Sequence, residues 1–345
     1  MAFKPHPNGG GLVEDTAYVA ETAYIGKYAI VREEARVLDN ARVDDFAQVL
    51  GTATVYDDAQ ILGESRIADE SRVYGSAKIF GNAQIGGKSR IFDNAQVYGH
   101  ATANDSVQIY GSASVFGEAT LSSSVKVFET AQVYGNATLT DNARVYGACH
   151  IYGSSCVRED AQVYGECHVL GNCFITKNAQ VYGMARVSDA VQITGDSTVY
   201  GFAQIIGVAL VYGRAQVYGY SIVKDSAQVF DEATVCDDAQ VGGAAKISGS
   251  AEVRGYARVY DYAVVTERAI VYGNARVFGR STIEGRHVKV FGDAEVLGRA
   301  KVGGDYEPTK VYGSARLYLH ARIYRGDVCR RPNLHELLSW IFPKF

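Results

Sequence analysis

Two histidines are the residues of this sequence whose type and spacing could support chemistry. His150 follows Cys149 and His168 follows Cys167, so one Cys-His pair repeats the other further along the chain. Imidazoles transfer protons near neutral pH and bind zinc, which takes four ligands. The positions at the same interval to either side hold Gln132 and Arg186, so no third histidine continues the series. The pair could hold a metal only if another chain supplied ligands; otherwise it is a polar ladder on a β face.

The composition excludes several classes of protein. The chain has 345 residues, with 34 Lys and Arg against 38 Asp and Glu, and a formal net charge of −4. Proteins that bind nucleic acid through phosphate contacts need a strong basic field, so we expect no nucleic-acid partner. The sequence has neither a run of apolar residues long enough to span a bilayer nor an apolar N-terminal segment, so we expect no membrane span and no secretory signal. These features, with six cysteines that lack zinc spacing, predict a reduced cytoplasmic protein.

A six-residue repeat governs most of the chain. From Ala17-x-Val19 to Ser281-x-Ile283 a small residue recurs every six positions, and an aliphatic residue follows it two positions later in nearly every repeat. Residues two apart on a strand face the same side, so the mostly polar residue between them faces the other. Three residues rich in Gly, Asp and Asn then favour a tight corner. A flat sheet cannot turn this often, so the repeat predicts a solenoid with the small and aliphatic residues inside.

A second period, of three hexads, sets the size of one coil. The residue after the aliphatic position is aromatic at every third repeat, which indicates three hexads per coil and parallel stacking of successive coils. A second corner is aromatic from Phe80 to Tyr152, whereas the third carries mainly Thr, Ser and Gly from Ala68 to Thr194. We call the aromatic residues of the first corner the corner ladder: Tyr56, Tyr74, Phe92, Tyr110, Phe128, Tyr146, Tyr164, Tyr182, Tyr200 and Tyr218.

The predicted fold is all-β. The pattern resembles the left-handed parallel β-helix of the hexapeptide-repeat family, in which a small residue stands four positions after an aliphatic one, as in Val73-Tyr74-Gly75-Ser76-Ala77. The sequence is similar to the trimeric LpxA-like acyltransferases and most of all to YdcK-like bacterial proteins, which implies a bacterial or phage source. The resemblance implies a triangular, single-stranded solenoid, and 51 hexads at three per coil make 17 coils.

Three segments are predicted: an N-terminal cap over residues 1–12, the β-helix over 13–323, and a C-terminal capping segment over 324–345. The regular spacing ends after Ile283, and an insertion follows at 303–310. Because an exposed solenoid end needs a cover, we expect one at each terminus. Asn333 followed by Glu336 is typical of a helix start and predicts a short capping helix there.

The resemblance implies two activities, and the sequence argues against both. Hexapeptide acyltransferases use an acyl-CoA donor between neighbouring prisms, with a catalytic histidine and a loop extruded from one coil, but the unbroken hexads leave no room for that loop. The γ-class carbonic anhydrases bind zinc through three histidines, and His150 and His168 lack the third. We therefore expect a non-catalytic structural or interaction scaffold without cofactor or metal. An acyltransferase is the alternative, and a metal-dependent γ-carbonic-anhydrase-like hydratase is the second.

Thiols and aromatic rings complete the candidate residues. Cys149, Cys167 and Cys173 occupy small inward positions and should be buried, whereas Cys156 points outward with no activating base nearby. The corner ladder is the predicted binding stripe, because a long exposed aromatic edge favours interfaces, although stacking alone would also explain it. We expect self-association or a partner protein there, or else a glycan, at Tyr110, Tyr146, Tyr164, Tyr182, Tyr200 and Tyr218.

Overall fold

A computed structural model describes residues 2–304 and 307–329, and all regular secondary structure in them is β. The chain divides into two compact units, Met1–Gly171 and Asn172–Phe345. The capping helix predicted at Asn333 lies outside the described residues, and the predicted segment boundaries stay predictions.

The strands follow the hexads. After β1 (Phe3–Pro5) and β2 (Leu12–Glu14), the strands from β3 (Tyr18–Val19) to β47 (Thr282–Ile283) start at every sixth residue. Each of these strands has two residues except three that have four, namely β24 (Arg144–Gly147), β27 (Gln162–Gly165) and β30 (Gln180–Gly183). The later strands are β48 (Val288–Val290), β49 (Glu295–Val296), β50 (Lys301–Val302), β51 (Thr309–Val311), β52 (Arg316–Leu317), β53 (Arg322–Ile323) and β54 (Gly326–Val328).

In the first unit, every third strand pairs in parallel, which produces three sheets. β12 (Arg72–Val73) pairs with β9 (Thr54–Val55) on one side and with β15 (Arg90–Ile91) on the other, each three hexads away. Ala77 and Ile79 are fully buried, as the inward positions require. The coil of three hexads and the inward small and aliphatic residues are therefore confirmed. At the N-terminus, β1 pairs antiparallel with β2.

The second unit repeats this arrangement and absorbs two irregularities. β36 (Gln216–Val217) pairs with β33 (Thr198–Val199) and β39 (Thr234–Val235) in parallel register. Ile270 stands opposite Lys289 and Lys289 opposite Lys310, so the coils lengthen here while the sheet pairing continues.

The count of turns is slightly larger than predicted. The two units contain about 18 turns rather than 17. The difference arises because β2 also pairs in parallel with β5 (Ile30–Val31), and β54 with β51.

The backbone conformation of the corners explains why either Gly or Asp occupies the same corner position of the hexad in different coils. Both residues adopt left-handed backbone conformation there, with φ of 68° at Gly75 and 58° at Asp57. A Cβ on Gly51 would lie 2.7 Å from the backbone nitrogen of Asp69 in the next coil, so this corner requires glycine. The Asp57 carboxylate instead accepts a hydrogen bond from the N–H of Gly75, at 3.0 Å. An Asp corner thus satisfies a backbone donor of the following coil.

Candidate functional site

The structure brings the two predicted histidines together in the first unit. His150 and His168 lie opposite each other on β25 (His150–Ile151) and β28 (His168–Val169), with ring centroids 4.9 Å apart and planes within 5°. Tyr134 contacts His150 edge-on at 6.4 Å. The two imidazole rings are therefore stacked face to face, and a catalytic role for them stays a prediction.

The described part of the chain contains no metal-binding cluster. Within it, no three side chains of the His, Cys, Asp and Glu types come together in a way that could hold a metal ion. Among the described residues, no carboxylate or thiolate therefore joins His150 and His168 to complete a set of metal ligands.

The thiols beside the histidines face the interior. Cys149 and Cys167 are fully buried with their Sγ atoms 3.2 Å apart, and the Cys149 thiol donates to the Tyr146 carbonyl at 3.0 Å. The hydrogen bond with Cys149 and burial both raise the pKa of the Cys167 thiol. Cys173 is also fully buried, so the prediction for these three residues is confirmed. Burial likewise raises the pKa of the half-buried Cys156 thiol. None of these features produces an activated nucleophile.

The corner ladder is a stack of rings. Tyr74 and Phe92 lie 4.9 Å apart within 1° of parallel in the first unit, and Tyr182 and Tyr200 lie 4.8 Å apart in the second. Each ring covers its neighbours' faces and leaves an edge open, which in the tyrosines carries the hydroxyl, so all of them are half-buried. Burial is the main cause that raises the pKa of the Tyr182 phenol. Local stacking thus accounts for the ladder, while its use as a binding stripe stays a prediction.

The third corner departs from the prediction further along the chain. Tyr212 and Phe230 stack there at 4.8 Å, although the preceding positions of this corner are Thr176 and Thr194. Aromatic stacking is therefore compatible with every corner of the coil.

Sequence reasoning missed a second column, beside the corner ladder of the second unit. Met184, Phe202 and Tyr220 each stand two residues after a ladder tyrosine and are 45%, 44% and 61% exposed. Phe202 and Tyr220 stack at 4.7 Å, and the Phe202 N–H donates to the Gly219 carbonyl. We call Met184, Phe202 and Tyr220 the apolar strip. The signal that could have found it is an apolar residue directly before the inward small residue, where polar residues are usual.

The first unit shows what this position otherwise carries. Six consecutive coils have polar side chains there, and in the five coils from Asp58 to Thr130 the ladder position beside them is aromatic. The polar residues are Asn40, Asp58, Ser76, Asn94, Ser112 and Thr130.

Parallel sheets built from stacked hexads define a β-solenoid repeat protein. The family model for the YdcK beta solenoid repeat matches residues 131–147, nearly one coil of the first unit. This match and the fold together support a hexapeptide-repeat-like β-helix. No curated protein sequence matches the chain. Among the described residues, no helix has the length and apolar character needed to cross a membrane.

Proposed function

We propose that this protein is a non-catalytic β-solenoid scaffold that associates with a second copy of itself through the apolar strip. One observation carries the proposal. Three consecutive coils of the second unit present large apolar side chains to solvent, at 44–61% exposure, from a repeat position that is polar in much of the first unit.

The strip is not explained by the stability of the coil. Tyr74 and Phe92 stack as closely beside Ser76 and Asn94 as Tyr200 does beside Phe202. Removal of apolar surface from water is favourable by about 25 cal/mol per Å². A contiguous apolar patch that folding does not require is therefore typical of an interaction surface.

The geometry of the strip favours a second copy as its partner. Its rungs have the same spacing on both copies, so a two-fold axis through Phe202 would set Met184 of one copy against Tyr220 of the other. Exposed Arg186 lies beside Met184, and exposed Asp238 lies one coil beyond Tyr220. Under the same axis the coil of Arg186 faces the coil of Tyr220 in the other copy, so Asp238 of that copy lies one coil, about 4.8 Å, further along and within reach of an extended arginine side chain.

The test is a change in assembled mass. We expect the purified protein to be a dimer in multi-angle light scattering. The triple variant Met184→Ser, Phe202→Asn and Tyr220→Thr, which uses residue types that the first unit has at this position, should be monomeric with an unchanged β signal in circular dichroism.

A matched control distinguishes association through the apolar strip from nonspecific association of exposed aromatic residues. Tyr28 and Phe46 form a stacked pair in the first unit and are 58% and 59% exposed. The double variant Tyr28→Asn and Phe46→Asn should remain dimeric. A monomeric wild-type protein, or a control variant that loses mass as the triple variant does, would contradict the proposal.

A further inference from the structure

A cleft of about 500 Å³ opens on the second unit, within the usual size range of small-ligand sites. Its floor is formed by the outward side chains of β43 (Arg258–Val259), β46 (Arg276–Val277), β49 and β52, which pair in parallel register. These side chains are Arg258, Arg276, Glu295 and Arg316, and Tyr256 stands at one end.

The cleft contains more guanidinium groups than its carboxylates neutralise. Glu295 contacts Arg316 at 3.0 Å and Arg276 at 3.7 Å, so one carboxylate serves two arginines. Arg258 lies directly opposite Arg276 and makes no ion pair with any residue that the structure describes. The other carboxylate of the cleft, Asp293, accepts a hydrogen bond from the Asn274 amide at 2.9 Å. An anion between Arg258 and Arg276 would relieve their repulsion and accept charge-assisted hydrogen bonds.

Tyr256 gives the cleft an open aromatic face. It is 65% exposed, and the positions above and below it hold Asp238 and Asn274 rather than rings. This differs from Tyr200 in the corner ladder, whose faces are covered by Tyr182 and Tyr218. An uncovered ring face packs well against the C–H face of a sugar, while the neighbouring amide and carboxylates suit its hydroxyls.

The same features disfavour a peptide. A peptide that adds a strand needs a free sheet edge, but the N–H groups of Arg258 and Arg276 already donate to Ala275 and Ala294 of the next coil. Tyr256 is also the one large apolar side chain among the residues described as lining the cleft, so a peptide would find no pocket for apolar anchors.

We propose that this cleft binds an acidic saccharide: a uronate unit of a glycan, with its carboxylate on Arg258 and Arg276 and its ring against Tyr256. The proposal is independent of the apolar strip and of self-association.

Isothermal titration calorimetry with a purified oligogalacturonate tests it. We expect saturable binding, no binding of the neutral oligogalactose, and a Kd at least tenfold higher for Arg258→Gln and for Tyr256→Asn. Arg90→Gln is the matched control, because Arg90 and Arg72 also lie opposite each other on paired strands of the first unit and neither lines this cleft. That variant should bind as the wild type does.

Three results would overturn the proposal. They are absence of oligogalacturonate binding, equal weakening by Arg90→Gln, and binding of poly-glutamate as tight as that of the uronate. The last result would assign the cleft to acidic polypeptides instead.

Discussion

The repeat position two residues after the corner ladder carries different side chains in a stretch of each unit. From Asn40 to Thr130 in the first unit it is polar, and the Asn40 amide donates to Asp58 one coil later, at 3.4 Å. In the second unit the same position holds Met184, Phe202 and Tyr220, all exposed. The adjacent ladder is stacked at 4.8 Å in both units. The stacked ladder, which the two units share, is therefore what coil stacking requires. The exposed apolar residues, which only the second unit has in consecutive coils at this position, are available to a partner.

The largest expected effect concerns the interior, which the two units share. Ala143→Glu places a charge at a fully buried position of the first unit with no partner, and should destabilise it by on the order of 3–5 kcal/mol. Urea denaturation followed by circular dichroism measures the change. Ala215→Glu should behave alike in the second unit, whereas the outward Arg144→Glu should have little effect. A tolerated Ala143→Glu would contradict the inward assignment.

A pair of neighbouring substitutions tests the difference between ladder and strip. Tyr200 stacks on Tyr182 and Tyr218, so Tyr200→Thr should cost about 1–3 kcal/mol of stability and leave the assembled mass unchanged. Phe202→Thr should cost less than about 1 kcal/mol and weaken self-association. Denaturation midpoints and sedimentation velocity measure the two effects. The distinction fails if Tyr200→Thr also lowers the mass, since the ladder would then belong to the interface.

The smallest effect concerns the corners. Asp57→Ala removes the hydrogen bond to Gly75 and leaves a non-glycine residue at a φ of 58°, so we expect a loss of about 1–2 kcal/mol. Asp57→Gly removes the bond without the conformational cost and should lose less. Asp261→Ala and Asp261→Gly should show the same order in the second unit, where Asp261 accepts from the Gly279 N–H. Thermal denaturation checks both pairs, and an Asp57→Gly variant less stable than Asp57→Ala would refute the explanation.

Much of the fold could be predicted because the repeat is local and regular. Most strands have two residues, their inward side follows from alternation, and the partner of Val73 is Ile91 simply because a coil has three hexads. The stacking of His150 on His168 follows in the same way. The apolar strip was also readable from the same spacing, since its members recur once per coil. The count of turns could not be settled from hexads alone, because β2 and β54 pair without a full repeat.

By itself, the sequence determined the parallel coils, the buried small and aliphatic residues and the aromatic corners, since an unbroken period specifies which residues share a rung and a side. Only the tertiary structure decided the character of individual side chains on those rungs. The period gives the neighbours of Tyr200 and Tyr256 but not their exposure, which is partial for Tyr200 and 65% for Tyr256. Arg276, Glu295 and Arg316 converge although their spacings depart from the regular coil, because insertions at the corners are absorbed while the sheet pairing continues. The period specifies whether a side chain points inward or outward, whereas its exposure and its ion pairs depend on the side chains in the coils above and below.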